Sequence, residues 1–255
     1  MTTLHAVSLV WRRYLDVYRK SLKYAMVTTF VEPLLYLFAF GFGLGTMIGA
    51  VKLDGVELTY RQFIFAGIAA QTIMFQAFFE AAYGSFIRMY YQRVFQAIAV
   101  TPITLSEVLW AEVIWDASKA TFSASAVLAI GVAIGDFRLW GAVAALPLCF
   151  IGALLFAELG LLVAAKSKTI EEISYPQFLL IFPMFLFCGV FFPLTNLPTY
   201  AQWLAWTLPL TSVSSLLRTL TLGVPLNPQV FVVVSLWLAV LTPWSRNAMT
   251  RRLIK

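Results

Sequence analysis

The chain has 255 residues, of which 61% are hydrophobic and 12% are charged, whereas a soluble domain carries roughly 25% charged residues. This composition excludes a water-soluble fold and indicates a single membrane domain, because no polar stretch is long enough to form a separate soluble domain. The net charge of +6 does not indicate nucleic-acid binding, since most basic residues lie beside apolar segments, where they orient a membrane protein.

The N-terminal segment, residues 1–24, predicts an amphipathic helix at the membrane surface. Apolar side chains recur at helical spacing from Leu4 to Leu22, and basic side chains occupy the opposite face. A basic face opposite aromatic residues suits the surface of an anionic cytoplasmic leaflet. The alternative is that this helix merely leads into the first span.

Six apolar segments predict transmembrane helices, since one crossing needs about 20 apolar residues. They cover residues 25–50, 63–87, 107–134, 139–165, 176–192 and 228–244. A short polar loop, residues 51–62, follows the first segment. Prolines interrupt the apolar stretch 193–222, which favours a re-entrant outer hairpin of two short helices. The predicted fold is therefore an all-α polytopic membrane protein with six spans.

The distribution of basic residues predicts the orientation in the membrane. Six spans place both termini on one side, and the segments on that side carry most of the Lys and Arg residues, including Arg246, Arg251, Arg252 and Lys255 in the C-terminal tail. The opposite segments carry Lys52, Arg61, Arg138 and Arg218. Because positive residues favour the cytoplasmic side, we expect both termini to face the cytoplasm from the inner membrane.

The sequence carries no motif for chemistry of its own. A P-loop requires Gly immediately before Lys, and no Lys follows a Gly here, so any ATP must be bound by another subunit. The single histidine, His5, lies far from any cluster of cysteines or carboxylates, so we expect no metal site. Cys149 and Cys188 fall inside apolar segments and are interpreted as buried thiols. We therefore expect neither catalytic residues nor a cofactor in this chain.

Several charged residues fall within the apolar segments, where each is costly unless it is paired or faces water. They are Glu32, Glu80, Glu112, Asp116, Lys119 and Glu158. Asp116 and Lys119 are three residues apart, so they are predicted to pair on one helix face. The charges either line a transport pathway, with Glu80, Asp116, Lys119 and Glu158 as candidates, or form structural ion pairs.

Glycines recur every four residues near the outer end of the first predicted span. Gly41, Gly45 and Gly49 form two overlapping G-x-x-x-G steps. Small residues let helices approach closely in lipid, so this pattern predicts a helix-packing seam. The alternative is a movable contact that opens a lateral pathway.

The proline pattern after the fifth apolar segment carries a family resemblance. Phe191-Phe192-Pro193 is followed by Leu197-Pro198 and then by Pro209. This arrangement resembles the signature of type 2 ABC transporter permeases, in which F-[FY]-P-x-x-x-L-P ends the fifth span. Ile173-Ser-Tyr-Pro-Gln-Phe178 resembles the permeases of lipo-oligosaccharide exporters within that family. The resemblance implies that residues 193–222 cap the pathway, with Phe191, Phe192, Pro193 and Pro198 as gating candidates.

The resemblance also implies partners. Two permease copies, expected to be a homodimer, form the pathway, and each docks one ATP-binding subunit that holds ATP and Mg²⁺. Docking would use the N-terminal helix and a coupling helix within residues 88–106. The docking candidates are Trp11, Arg12, Arg13, Arg88, Tyr91, Arg93, Phe95, Thr101 and Pro102. Gln92 and Gln96 stand where many relatives carry an acidic residue.

The expected function is that of a permease subunit of an ATP-driven exporter, with an amphipathic lipid-linked saccharide as substrate. One alternative is a drug or antibiotic efflux permease of the same family. Others are a membrane scaffold that does not transport and an intramembrane lipid enzyme that uses Glu80, Asp116 and Glu158 for acid–base chemistry. The missing histidine pairs and nucleophile motifs count against the enzyme.

Overall fold

The computed structural model describes residues 2–253, apart from the side chains of residues 25, 26, 28–30 and 99. Met1 and Lys255, to which the predictions above extend, lie outside the described residues. Within the described range, four helices are long and apolar enough to cross a membrane: Tyr60–Tyr91, Leu105–Ala133, Leu139–Lys166 and Gln229–Leu253. A shorter apolar helix covers Val31–Thr46. The chain is thus a mostly helical, multi-pass membrane protein, and the count of six spans stays a prediction.

The N-terminal region folds as two successive helices. Helix α1 covers Thr3–Lys20 and ends at Ser21, where the backbone leaves helical geometry. Helix α2 covers Leu22–Tyr36 and continues as a π-helical segment, Leu37–Gly43, and a 3₁₀ turn, Leu44–Thr46. The helical part of the first predicted span therefore ends before Gly49.

A β-hairpin follows, where the sequence analysis predicted only a polar loop. Strand β1, Ala50–Leu53, pairs antiparallel with strand β2, Val56–Thr59. Asp54 and Gly55 in the turn both have positive φ angles, +47° and +82°. Asp-Gly is among the sequences that favour such tight turns, because Asp and Gly tolerate this geometry better than other residues. The purely α-helical prediction is corrected by this hairpin.

Capping side chains start the two helices that carry most of the buried charges. Helix α3, Tyr60–Phe79, begins with a capping box between Thr59 and Gln62. It runs on through two π-helical segments, Glu80–Gly84 and Ile87–Tyr91. After the short helix α4, Val94–Ala99, helix α5 begins at Leu105 with a capping box between Thr104 and Glu107 and ends at Ala133. Helix α6 covers Leu139–Lys166.

The C-terminal third contains an interrupted helix, two short helices and a long final helix. A 3₁₀ turn at Glu171–Ile173 leads into α7, Ser174–Pro176, a π-helical segment, Gln177–Ile181, and α8, Phe182–Phe187. Helices α9, Thr199–Thr207, and α10, Pro209–Leu222, occupy the predicted hairpin region. Helix α11 covers Gln229–Leu253 and passes through Pro243, so the last arginines are helical.

Helix α3 is the central helix of the bundle. It packs against α5, α6 and α10, and nearly all of its side chains from Phe63 to Phe78 are buried. A helix that is apolar all round is stable only when neighbours cover every face. Helix α6 packs in turn against α5 and α11, and α1 lies along α5. This arrangement brings the charged residues that follow α3 and those in the first half of α5 together beneath α1.

Candidate functional site

Helices α3 and α5 bring five charged side chains into one cluster. Arg88 lies 2.9 Å from Glu80, 2.6 Å from Glu112 and 3.3 Å from Asp116. Lys119 Nζ lies 2.6 Å from the other oxygen of Glu80. Glu112 and Asp116 have no solvent exposure, and Arg88 retains only 13% of its side-chain exposure. We call these five residues the buried ion cluster.

The pairing within the buried ion cluster differs from the predicted one. Asp116 and Lys119 were expected to pair with each other along one helix, but each pairs with a residue of α3 instead. The reason is the close packing of α3 on α5, which presents Glu80 and Arg88 to them directly. Arg88 was predicted to dock an ATP-binding subunit; it is instead enclosed by carboxylates and is not available on the surface.

Helix α1 covers the buried ion cluster from outside. The ring of Tyr14 lies 5.2 Å from the Arg88 guanidinium, and the ring of Tyr18 lies 5.4 Å from Lys119 Nζ. Burial and the nearby Glu112 carboxylate raise the pKa of the Tyr14 hydroxyl, which therefore stays protonated. A cavity of about 280 Å³ lies between α1 and the cluster. The surface helix and the intramembrane charges thus form one unit.

Aromatic contacts hold α1 on α5. The Trp115 ring of α5 lies within 6.2 Å of the rings of Trp11, Tyr14 and Tyr18, measured between centroids. Trp11 Nε1 donates a hydrogen bond to Ser118 Oγ at 3.3 Å. The docking candidate Trp11 therefore faces the bundle. Arg12 and Arg13 are exposed, and Arg13 also lines the cavity between α1 and the buried ion cluster.

The predicted coupling region forms the short helix α4. Tyr91, Arg93, Thr101 and Pro102 are exposed, as docking residues need to be. Phe95 is buried with Val94, so this docking candidate anchors α4 to the bundle rather than facing a partner. Arg93 has φ of +52°, a left-handed conformation that turns the chain between Tyr91 and α4. The exposed Gln92 and Gln96 belong to the same surface.

Glu158 belongs to a separate ion pair between α6 and α11. Arg246 Nη2 lies 2.9 Å from Glu158 Oε1, and Ser245 donates a hydrogen bond to the same carboxylate. The Arg246 guanidinium also lies 3.5 Å from the Trp110 ring centroid. The pathway candidates therefore divide into two groups, because Glu158 does not join Glu80, Asp116 and Lys119.

The proline-rich region lies against the first apolar helix. Phe191 contacts Phe40 and Phe185, with ring centroids 4.9 Å apart in both pairs. Phe192 and Pro193 are half-buried, and Pro198 is exposed immediately before α9. Arg218 of α10 is buried and donates a hydrogen bond to the carbonyl of Gly189 at 2.6 Å. This bond ties the hairpin region to the end of the interrupted helix.

The glycine seam is present in part. A Cβ added at Gly41 would lie 2.7 Å from the Phe65 ring of α3, so this glycine allows close approach. Gly45 lies near Tyr60, whereas Gly49 is beyond the helix and has nothing within 4 Å. The tightest contacts of α6 involve other glycines: a Cβ at Gly141 would lie 2.1 Å from the Leu220 carbonyl oxygen, and one at Gly160 2.6 Å from that of Phe78. Neither glycine belongs to a G-x-x-x-G step.

Sequence reasoning also missed two partners of charged residues. The Arg61 guanidinium pairs with Asp136 through two hydrogen bonds of 2.7 and 2.8 Å. Arg246 was treated only as an orienting charge, yet it neutralises Glu158. Both pairs join residues more than 70 positions apart, so no local spacing could reveal them.

Known proteins resemble nearly the whole chain. Residues 5–222 match the family described as ABC-2 type transporter. Nodulation protein J of Rhizobium leguminosarum bv. viciae is 32% identical over 96% of this chain and 94% of that protein. Nodulation protein J of Rhizobium meliloti (strain 1021) is 34% identical over 85% and 81%, respectively. The inner membrane transport permease YadH of Escherichia coli (strain K12) is 26% identical over 86% and 84%.

Proposed function

Because the chain belongs to the ABC-2 type transporter family, we propose that it is the permease subunit of an exporter that a separate ATP-binding subunit drives. The exporter moves an amphipathic, lipid-linked saccharide out of the cytoplasm, and both termini of the permease face the cytoplasm. The chain itself contributes a pathway and a coupling surface. ATP and Mg²⁺ are bound by the partner subunit.

The contact between α1 and the buried ion cluster is the observation that carries this proposal. Tyr14 and Tyr18 touch Arg88 and Lys119 directly, and the coupling helix α4 begins six residues after Arg88. Any displacement of α1 or α4 by a partner therefore changes the surroundings of Arg88. Since Arg88 joins α3 to α5, such a displacement shifts these helices against each other, as a two-state switch requires.

The exposed faces of α1 and α4 suit a docking surface for the ATP-binding subunit. Arg12 and Arg13 lie on one helix, and Arg93 and Gln96 on the other. None of the three arginines forms an ion pair with another described residue. A partner with acidic groups at these positions would complement them.

A second copy of the chain completes the pathway in this proposal. The first apolar helix exposes Leu35 and Phe38, and the interrupted helix exposes Phe178 and Leu179. Glu32 lies beside a cavity of about 700 Å³ on the same face of α2. A carboxylate facing lipid is costly, so this face is better suited to a pathway than to hydrocarbon.

Aromatic rings near that face support an amphipathic substrate. Tyr36, Phe40, Phe185 and Phe191 form a continuous series of ring contacts. Aromatic faces accommodate acyl chains and stack on sugar rings, whereas the Glu32 carboxylate can accept hydrogen bonds from sugar hydroxyls. The resemblance to lipo-oligosaccharide exporters agrees with this substrate class.

The test is co-purification from the native membrane followed by an ATPase assay. We expect a stoichiometric ATP-binding subunit whose hydrolysis rate rises with a lipo-oligosaccharide and not with amphipathic drugs. Stimulation by drugs alone would favour the efflux alternative. A permease that purifies alone and inert would contradict the exporter and favour a scaffold.

A second experiment tests the coupling surface. Replacing residues 94–99 with a Gly/Ser linker is expected to abolish export while the protein still inserts in the membrane. The matched control changes Lys52 and Glu57 to Ala, because both are exposed on the β-hairpin away from α4. Normal export by the linker variant would refute the proposed route of coupling.

A further inference from the structure

A groove of about 880 Å³ opens between the end of α6 and the last turns of α11. Four basic side chains line it: Lys166, Lys168, Arg251 and Arg252. Tyr90 and Ala248 also line the groove, and their side chains are less polar than those of the four basic residues. We call this feature the basic groove.

Among the described residues, the positive charges of the basic groove form no ion pair, and Glu172 acts on Arg252 from beyond ion-pair distance. In the part of the chain that the structure describes, none of its four basic residues lies within 4.0 Å of a carboxylate oxygen. Glu172, near the rim, accepts a hydrogen bond from the backbone N–H of Lys168 at 2.6 Å. Four like charges around one opening repel one another, so an anion bound between them is favoured.

Hydrogen bonds hold one of these cations in place. Arg252 Nη1 donates to the carbonyl oxygens of Ala164 and Ala165 at 2.6 and 3.1 Å, and also to that of Ser167. These bonds join the end of α6 to α11 and keep a guanidinium at the wall of the groove. Arg252 is therefore fixed in the wall of the groove by these hydrogen bonds. Lys166, Lys168 and Arg251 are exposed and can contact a ligand.

The basic groove lies at the level expected for lipid headgroups. The Lys166 ammonium lies 4.3 Å from the Trp244 ring centroid, and Trp side chains prefer the membrane interface. Lys166 is also the last residue of a candidate span. Arg251 follows Trp244 by two helical turns, or about 10 Å. The headgroup layer on each side of a bilayer is about 5–7 Å thick, so the Arg251 backbone lies a few Å beyond its outer edge. Because side chains on a helix point toward its N-terminus, the long Arg251 side chain extends back into that layer.

We propose that the basic groove binds the phosphate group of an anionic phospholipid in the cytoplasmic leaflet. Lys166, Lys168 and Arg251 surround the phosphate, and the acyl chains lie along the exposed apolar face of α11 at Leu236 and Val240. This site goes beyond the proposed export function, because it serves neither cargo nor ATP, and only its assignment to the cytoplasmic leaflet rests on the proposed orientation of the termini. Free phosphate shares the headgroup chemistry but cannot use the apolar face.

Native mass spectrometry of the full-length chain in detergent tests the proposal. The protein is mixed with equal amounts of phosphatidylglycerol and phosphatidylcholine, and the retained lipids are counted. We expect a preference for phosphatidylglycerol that falls at least tenfold in the triple variant Lys166→Gln, Lys168→Gln, Arg251→Gln. A basic residue near an anionic surface contributes about fivefold in binding. Arg252 is left unchanged because its hydrogen bonds join α6 to α11 at the wall of the groove.

Two further variants separate the groove from general charge and from misfolding. Lys52→Gln, Arg138→Gln removes two exposed charges that lie outside both the basic groove and the N-terminal helix, and it should keep the preference. An equal loss in that control would overturn the site. Lys168→Gln alone changes one exposed side chain, so the fold is not affected, and a loss of about fivefold is expected. An unchanged preference in both groove variants would also overturn it.

Competition distinguishes the sources of the phosphate. If inorganic phosphate displaces phosphatidylglycerol from the wild-type protein at similar concentrations, the groove is a phosphate site and the lipid proposal fails. If the triple variant keeps its lipid preference but no longer retains an ATP-binding subunit, the groove is part of the docking surface instead. The lipid measurement needs neither ATP nor transport, so its failure would leave the export function untouched.

Discussion

Arg88 is held by three carboxylates at once, from two different helices. Its guanidinium contacts Glu80, Glu112 and Asp116, and Asp116 Oδ2 has no hydrogen-bond partner among the described residues. Removing one partner of a buried ion pair is more costly than never having formed the pair, because the remaining charge stays desolvated. The buried ion cluster therefore depends on this one side chain.

Arg88→Ala is expected to lower the free energy of unfolding by about 3–5 kcal/mol, since three acidic groups lose their shared cation. Thermal unfolding in detergent measures the effect. Arg93→Ala is the matched control, because Arg93 is exposed and forms no described ion pair. Equal melting temperatures for Arg88→Ala and the wild type would show that the cluster does not stabilise the fold.

Gly160 is a second position that matters for the stability of the fold, because the packing there leaves no room for a Cβ atom. A Cβ there would lie 2.6 Å from the Phe78 carbonyl oxygen and 2.8 Å from the Ala81 Cβ, so Gly160→Ala must force α6 away from α3. We expect a loss of about 1–3 kcal/mol in unfolding free energy. Gly49→Ala should be neutral, because nothing lies within 4 Å. The same unfolding assay compares the two, and equal losses would refute the packing argument.

At the scale of elements, α1 depends on α5 for its position. Ala6, Val10 and Tyr14 are the buried residues of α1, and Trp115 supplies the aromatic surface beneath the helix. Because the opposite face of α1 is charged, the helix has one stable way to lie on the bundle. The two π-helical segments that continue α3 carry two members of the buried ion cluster. One segment contains Glu80 and the other contains Arg88.

Trp115→Ala is expected to release α1, because the rings of Trp11, Tyr14 and Tyr18 lose their common partner. Hydrogen exchange of the amides in residues 3–20 should become at least tenfold faster, and ATP hydrolysis by the complex should no longer depend on substrate. Trp140→Ala is the control, since Trp140 is 82% exposed. Unchanged exchange in Trp115→Ala would mean that other contacts hold α1.

At the scale of the whole molecule, several helices of the described chain have uncovered apolar side chains. Two such faces lie on α2 with its continuation and on the interrupted helix that ends with α8. Helix α11 also exposes apolar side chains, but lipid alone is sufficient to cover them. The face of α2 differs from that of α11 because it carries the Glu32 carboxylate, which lines the cavity on α2.

A cysteine experiment tests whether a second copy covers the face of α2. Phe38→Cys should form a disulfide-linked dimer in the membrane, because Phe38 is 72% exposed on that face. Val240→Cys on α11 should remain monomeric under the same oxidant. Cys149 and Cys188 are both buried, so they do not interfere. The proposed dimer is refuted if Phe38→Cys stays monomeric or if both variants cross-link equally. Gel electrophoresis without reductant gives the answer.

Local sequence patterns were sufficient for much of the architecture. Apolar length predicted the four long helices, and helical periodicity predicted the amphipathic α1. The proline pattern led to the family, which residues 5–222 match. Asp54-Gly55 is also a local signal for the β-hairpin, because Asp-Gly favours the tight turn that joins its strands. These features depend on neighbours in the sequence, so sequence spacing suffices to identify them.

The sequence by itself determined that this chain is a membrane protein, because apolar composition is a property of the chain alone. Its proline pattern resembles that of ABC-2 permeases, the family that residues 5–222 match. Only the tertiary structure decided which charges meet. Asp116 is close in sequence to Lys119, yet it pairs with Arg88, which lies 28 positions away. Phe95 and Gly49 likewise changed roles once their surroundings were known. The physical reason is that electrostatic and packing energies depend on distances in space, and helix packing sets those distances.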